Sequence, residues 1–157
     1  LTIKPNTPAS AVFPYLKKLD MVLAVSLHAP NDTMRSSVMP VNNRYPLAEL
    51  MEGCRYYQKQ TKNRISFEYA LIAGFNDQPE HVQQLKTLLK GLDCHLNIIP
   101  VNPVANTAQF SRPDRKQVAA FVKALQNAGL NASVREEKGT DIDGACGQLR
   151  GKVLKEQ

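Results

Sequence analysis

Cys146 is the residue whose type and setting most invite covalent chemistry. It lies in Gly144-Ala145-Cys146-Gly147, shortly after Asp141 and Asp143. Glycines on both sides permit tight turns and close backbone approach, and leave the sulfur little steric cover. A thiolate held this way can attack an electrophilic carbon. The plainer reading is a small residue packed into a Gly-rich turn, and spacing alone does not choose between the two. Cys54 falls on the apolar stripe of a helix and Cys94 just precedes a strand, so both read as core. Cys94 and His95 are adjacent, which in a strand sends their side chains to opposite faces and argues against a shared metal. The three cysteines contain no CxxC pair. That spacing argues against a zinc ribbon or a disulfide framework, suits a reducing cytoplasm, and leads us to expect no metal site in this chain.

A second group of polar residues follows strand-like runs. In parallel α/β sheets, ligands bind at the carboxyl ends of the strands. Ser26, Leu27 and His28 follow the run MVLAVS, Asn76 and Asp77 follow ISFEYALI, and Asn102 and Pro103 follow HLNII. All three places would share one rim. Ser26, His28 and Asn102 offer a hydroxyl, an imidazole and an amide, groups suited to a polar small molecule. Each has an ordinary alternative, because serine and asparagine at strand ends also satisfy backbone groups in turns. Glu68 interrupts an otherwise apolar strand, where a carboxylate needs a partner. It reads as a structural group or as support for a site in a barrel interior.

These positions depend on an alternation of strands and helices. Met21–Ser26 is a near-continuous apolar run, which predicts a strand covered on both faces. A loop, LHAPNDTMRSSVMPVNNRY, follows it. Pro46 then opens a helix carrying Leu47, Leu50, Met51, Cys54 and Tyr57 on one face. A strand is expected over Ile65–Ile72, broken by Gly74. Asp77 is expected to cap a helix with Pro79 in its first turn and Val82, Leu85, Leu88 and Leu89 as its stripe. His95–Ile99 is the next strand. Ser111 is expected to cap a helix lined by Val118, Phe121, Val122 and Leu125, closed by Gly129. A last strand, Ala132–Arg135, leads into the glycine-studded tail. Lys86, Lys90 and Lys123 read as a solvated helix face.

The βαβαβαβ order predicts an α/β fold with a parallel sheet built from βα repeats of roughly 30 residues. Three or four such units are too few for a closed eightfold barrel. The alternatives are a small open sheet or half of a partial barrel. Residues 1–157 read as a single domain, with no low-complexity linker. The opening LTIKPNTPASAVFPYLKKL reads as a short strand, a Pro-rich turn and a brief helix. The 157 residues are 43% apolar, carry a formal charge of +6 and have a pI near 9.3. That suffices for a real core and permits an anionic partner such as RNA without requiring one. No long apolar span or signal peptide is evident, so a membrane location is not expected.

Several segments together resemble the RlmN family of bacterial 23S rRNA adenine methyltransferases. They are LAVSLHAPND (23–32), RSSVMPVNNRYP (35–46), FEYALIAGFND, LNIIPVNP and, above all, DIDGACGQLRG (141–151). They occur in family order from about Val22 to the end. The resemblance implies the C-terminal half of a radical S-adenosylmethionine (SAM) partial (β/α)6 barrel. It also implies methylation at carbon 2 of an adenine in 23S rRNA, with some members acting on tRNA. In that family the cysteine matched by Cys146 first accepts a methyl group from SAM. A second SAM, cleaved at a [4Fe-4S] cluster, yields the radical that activates this methyl for addition to the adenine ring. Ser26, Leu27, His28 and Asn102 match SAM contacts. The resemblance further implies a cytoplasmic enzyme that is monomeric at full length.

The family's cluster signature, CxxxCxxC, is absent from the 157 residues. So are the glycine-rich SAM segment beside it, the second catalytic cysteine and the accessory domain, all of which the resemblance places before Leu1. The family's SAM-binding serine-rich turn is altered here to IKPNTPASAVFP, so no role is carried over to Ser10. A chain without the cluster ligands is not expected to cleave SAM alone. Two other readings stand beside this one. One is a basic RNA-binding α/β module without catalysis, whose RNA affinity would fall steeply with salt. The other is a Cfr-like enzyme acting at carbon 8 of the same adenine.

Overall fold

The computed structural model describes residues 22–101 and 110–135. It contains four strands, β1 (Leu23–Ser26), β2 (Ile65–Leu71), β3 (Cys94–Pro100) and β4 (Ala132–Val134). Four α-helices accompany them: α1 (Asp32–Val38), α2 (Leu47–Thr61), α3 (Pro79–Leu88) and α4 (Arg115–Asn127). A 3-10 turn spans Pro40–Asn43. The strands form one all-parallel sheet in the order β1-β2-β3-β4. Strands adjacent in sequence are adjacent in space, so the order does not reverse among the described residues. A doubly wound sheet reverses and covers both faces, whereas a barrel progresses one way and keeps an inner face.

The two faces are chemically distinct. Ile65, Phe67, Tyr69 and Leu71 of β2, with Leu96 and Ile98 of β3, lie on one face. They form a single core with Met51 and Tyr57 of α2, Val82 and Leu85 of α3, and Phe121 and Leu125 of α4. Every second residue of β2 is buried because period-two alternation turns those side chains toward the helices. On the opposite face, the aligned positions Ser26, Glu68, Asn97 and Ser133 make a polar row across all four strands. A helix-covered outside and a polar inside are what a barrel with a ligand-holding interior requires.

The structure corrects several expectations. Strand β1 begins at Leu23 and is not covered on both faces, since Ala24 and Ser26 are exposed and Leu23 and Val25 only half-buried. Its exposed residues lie on the polar inner face, which carries no helix among the described residues. The stretch read as a loop contains α1, where Asn31 Oδ1 accepts the Met34 N–H at 3.0 Å as a side-chain cap. The cap of α3 is Gln78 rather than Asp77, because Asp77 Oδ1 instead accepts the Gly74 N–H at 3.1 Å. The cap of α4 is Asp114 rather than Ser111. Asp114 and Gln117 form a reciprocal capping box, with Oδ1 accepting the Gln117 N–H at 2.7 Å and Gln117 Oε1 accepting the Asp114 N–H at 2.8 Å. Ser111 pairs with Ala73 in an isolated antiparallel bridge.

The C-terminus of α4 ends as the glycine implied. Gly129 has φ +87°, and the Gly129 and Leu130 N–H groups donate to Gln126 and Leu125 carbonyls at 2.9 and 3.0 Å. This is a Schellman closure, which only a residue tolerant of positive φ forms without strain. No described helix is long and apolar enough to cross a membrane.

Tyr69 ties the core to the rim. Its ring stacks on Phe121 at a centroid distance of 6.0 Å, and its hydroxyl donates to the Asn76 carbonyl at 2.9 Å. Burial pushes its phenol pKa far up, so it remains a donor at any working pH. Tyr69→Phe keeps the ring but leaves a buried carbonyl unsatisfied. The expected loss is about 1–2 kcal/mol in chemical denaturation.

Candidate functional site

The rim is built where β1 ends. After Ser26 the chain turns sharply: the Ala29 N–H donates to the Leu27 carbonyl at 2.8 Å, around His28 with φ 58°. A three-residue turn with positive φ at a non-glycine centre is uncommon and costs on the order of 1–3 kcal/mol, so surrounding contacts must hold it.

Four sets of contacts do so. Glu68 O, at the neighbouring position of β2, accepts both the Leu27 and His28 N–H groups, at 2.9 and 3.3 Å. His28 Nδ1 accepts the Ala70 N–H at 3.0 Å, taking the place of a strand carbonyl just past the end of β1. Asn76, fully buried, donates from Nδ2 to the His28 and Ala70 carbonyls at 2.9 and 2.7 Å, while its Oδ1 accepts the Ile72 N–H at 2.8 Å. Arg35, also buried, donates from Nε to Leu27 O at 3.1 Å and from Nη2 to Ser26 O at 3.0 Å.

The consequence is a defined pair of donors. The Ser26 hydroxyl is exposed and has no partner among the described residues. A neutral imidazole that accepts at Nδ1 carries its proton on Nε2, so His28 keeps an N–H donor there. Burial, then the nearby Arg35 charge, lowers the His28 pKa, with Glu68 acting weakly the other way. The Leu27 side chain is fully buried and anchors the turn in the core.

A pH effect follows from the lowered pKa. The unfolded imidazole, with an ordinary pKa of 6.5, binds a proton before the folded one does. Stability therefore falls as pH drops through 6.5 toward the folded value, and the slope ends below it. Urea midpoints measured across this range should fall less in His28→Gln than in the parent.

Glu68 lies partly buried on the polar face. Its Oε1 accepts from Asn97 Nδ2 at 3.1 Å, and its Oε2 meets Arg135 Nη1 at 3.5 Å. Asn97 also donates to Ser66 Oγ at 2.9 Å. Glu68 thus has the partners its chemistry demanded. Asn76 is committed to backbone groups, and Asp77 closes a turn. Lys86, Lys90 and Lys123 are exposed, as a solvated face requires. Cys54 is buried against the core, and burial pushes its thiol up to about 11. Burial raises the Cys94 thiol as well. Neither is a ready nucleophile. Asn102 and Cys146 lie outside the described residues.

The group that sequence reasoning missed is Arg35 with Asn42 and Asp32. Arg35 Nη1 donates to Asn42 Oδ1 at 2.8 Å, and Asn42 Nδ2 donates to Asp32 Oδ1 at 3.0 Å. The one available signal was the Asn31 cap, which would have revealed a helix carrying Arg35 back toward the strand end.

The chain is 50% identical over 141 residues to the probable dual-specificity RNA methyltransferase RlmN of Thermoanaerobacter sp. (strain X514), covering 90% of this chain and 41% of the relative. It is 53% identical over 138 residues to the same-named protein of Pelotomaculum thermopropionicum, covering 87% of this chain and 37% of that one. Over the matched residues the chain is thus similar to proteins named RlmN. It spans about two fifths of the length of the curated RlmN relatives it matches, 41% in the first case. No protein-family model matches it. A crystal structure of a radical SAM methyltransferase from Sphaerobacter thermophilus superposes with a TM-score of 0.78 at 45% identity, over 87% of this chain and 41% of that one. A domain of a pyruvate-formate lyase-activating enzyme from Bacteroides vulgatus superposes at TM-score 0.62 and 15% identity, over 80% of this chain and 74% of that domain, which supports the fold alone. The described residues therefore have the fold of a partial radical SAM-type α/β barrel, with which the one-way sheet and polar inner face agree.

The rim donors suit SAM, whose carboxylate and ribose hydroxyls accept hydrogen bonds of the kind Ser26 and His28 offer. The described residues hold no group of three His, Cys, Asp or Glu side chains able to take a metal ion. They do not fit a [4Fe-4S] cluster.

Proposed function

We propose that this chain is the C-terminal part of a radical SAM enzyme that methylates carbon 2 of an adenine in 23S rRNA, and of tRNA, with Cys146 carrying the methyl group. Residues 1–157 then act as one unit of a larger cytoplasmic protein, monomeric when whole. The observation that carries this reading is the 50% identity over 141 residues to proteins named RNA methyltransferases. The rim supports it independently, since it offers a small-molecule site at the carboxyl end of a barrel strand.

In this reading Ser26, the turn at Leu27, His28 and Asn102 hold SAM. SAM would supply the methyl group, and a [4Fe-4S] cluster, whose ligands are not in this chain, would supply radical chemistry in the full-length protein. Cys146 is the chain's own contribution to the chemistry. Carbon 2 of adenine is electron-poor, so a polar transfer of a methyl cation equivalent does not proceed there. A thiolate, by contrast, readily accepts a methyl from a sulfonium.

The test is nucleoside mass spectrometry of 23S rRNA and tRNA from cells with and without the intact protein. The expected result is 2-methyladenosine that depends on the protein. Finding 8-methyladenosine instead would favour the Cfr-like reading. Unmodified RNA combined with salt-sensitive binding would favour the non-catalytic module.

A further inference from the structure

Arg35 is a buried guanidinium with an unusual set of partners. It is 4% exposed, and its three acceptors are Leu27 O, Ser26 O and Asn42 Oδ1, at 3.1, 3.0 and 2.8 Å. None of these is charged. Burying a guanidinium is costly unless its donors are satisfied, and burial does lower its pKa, against the Asp32 charge. A core that needed only volume here would hold an apolar side chain. Two of the bonds go instead to consecutive carbonyls of the rim turn.

We infer that Arg35 is a positioning residue for SAM, its planar fork locking the Ser26–His28 turn in the shape that presents the Ser26 hydroxyl and the His28 Nε2–H. This rests on the proposed function, because it takes SAM as the ligand of that rim. The argument is geometric. The turn centres on His28 with φ 58°, a conformation that relaxes unless both flanking peptides are held. Glu68 O and Asn76 Nδ2 hold the far side, through the Leu27 and His28 N–H groups and the His28 carbonyl. Among the described residues Arg35 alone holds the Ser26 carbonyl by a side chain, and it shares Leu27 O with the Ala29 N–H. Asn42 orients the fork. Its Nδ2 is in turn fixed by Asp32 O, Asp32 Oδ1 and Ser36 Oγ at 3.2, 3.0 and 2.9 Å. Asp32 Oδ1 also accepts the Leu47 N–H at 2.8 Å, so the chain of contacts runs from α2 to the rim. Lysine cannot reproduce a rigid fork that reaches two carbonyls and an amide at once.

The charges acting on the His28 ring are Arg35 from α1, which lowers its pKa, and Glu68 from β2, which raises it. Loss of the Arg35 charge should therefore make the ring easier to protonate.

The test uses the intact protein, with SAM affinity measured by equilibrium dialysis of methyl-labelled SAM. The His28 ring is followed by nitrogen-15 NMR of labelled histidine. Arg35→Gln and Arg35→Lys should each weaken SAM binding about tenfold or more, the scale of one charge-assisted hydrogen bond. Activity at saturating SAM should fall less than affinity does. In Arg35→Gln the His28 resonances should lose the fixed Nε2–H pattern and titrate at higher pH. Should the Arg35 variants not fold, Asn42→Ala gives a milder form of the same test, with an expected loss of about threefold in affinity. Parent-like SAM affinity in a folded Arg35→Lys, or in Asn42→Ala with an unchanged ring pattern, overturns the inference. Ser26→Ala and His28→Ala separate the two levels. If they too bind SAM normally, the site reading itself fails. If they weaken binding while the Arg35 and Asn42 variants do not, only the role of Arg35 fails.

Discussion

Replacing Cys146 with alanine in the intact protein is expected to remove RNA methylation, by on the order of a thousandfold or more. That is the scale of loss when a residue forming a covalent intermediate is deleted. The magnitude follows from the substrate. An electron-poor ring carbon offers no direct polar route, so without the thiol no slower version of the same reaction is available. Serine at position 146 should fare no better, since its hydroxyl is little ionised near neutral pH and a poor acceptor of an alkyl group. RNA binding should survive both changes, because neither removes a cation that could pair with phosphate. Incorporation of label from methyl-labelled SAM into RNA, measured beside a filter-binding assay, reads both quantities. A non-catalytic binding module would show no response to either substitution.

The second large effect is on stability. Asn76→Ala should cost about 3–5 kcal/mol, since it strips partners from three buried or half-buried backbone groups at once. These are the Ile72 N–H, the His28 carbonyl and the Ala70 carbonyl. Asn76 has no exposed surface, so water does not replace the lost amide without rearrangement. The effect should exceed that of Tyr69→Phe, which orphans a single carbonyl. In thermal unfolding the shift should be roughly 10 °C. Asn76→Asp is the informative companion: it keeps an acceptor for Ile72 but loses both donated bonds and buries a charge, so it should be at least as damaging. A loss below about 1 kcal/mol in Asn76→Ala would mean that the rim turn is held by other contacts.

Much of the framework could be read from residue order. The stripes Leu47, Met51, Cys54, Tyr57 and Val118, Phe121, Val122, Leu125 are buried as their helical spacing implied. The parallel sheet followed from alternating elements, and the Schellman turn followed from Gly129. The placement of Ser26 and His28 at a strand end followed from the location rule for α/β sheets. Sequence spacing did not reveal what each residue does there. Asn76 and His28 have the same polar character on paper, yet one is consumed by backbone groups and the other keeps a donor with no partner among the described residues. Arg35 read as part of a loop, because a seven-residue helix rich in serine has weak intrinsic propensity and announces itself only through its cap. A buried arginine bonded to carbonyls leaves no pattern in sequence, since its partners lie eight and nine positions away and no periodicity links them. Strand β1 looked like a doubly covered strand because alanine and valine do not distinguish a buried face from a barrel lining.

The most direct measurement concerns the sulfur itself. The intact protein would be produced in cells fed methionine with a deuterated methyl group, and the peptide containing Cys146 sequenced by tandem mass spectrometry. The expected result is a deuterated methyl on Cys146, with Cys54 and Cys94 unmodified. RNA methylated at the full rate by protein whose Cys146 carries no methyl at any point in turnover would contradict the proposal.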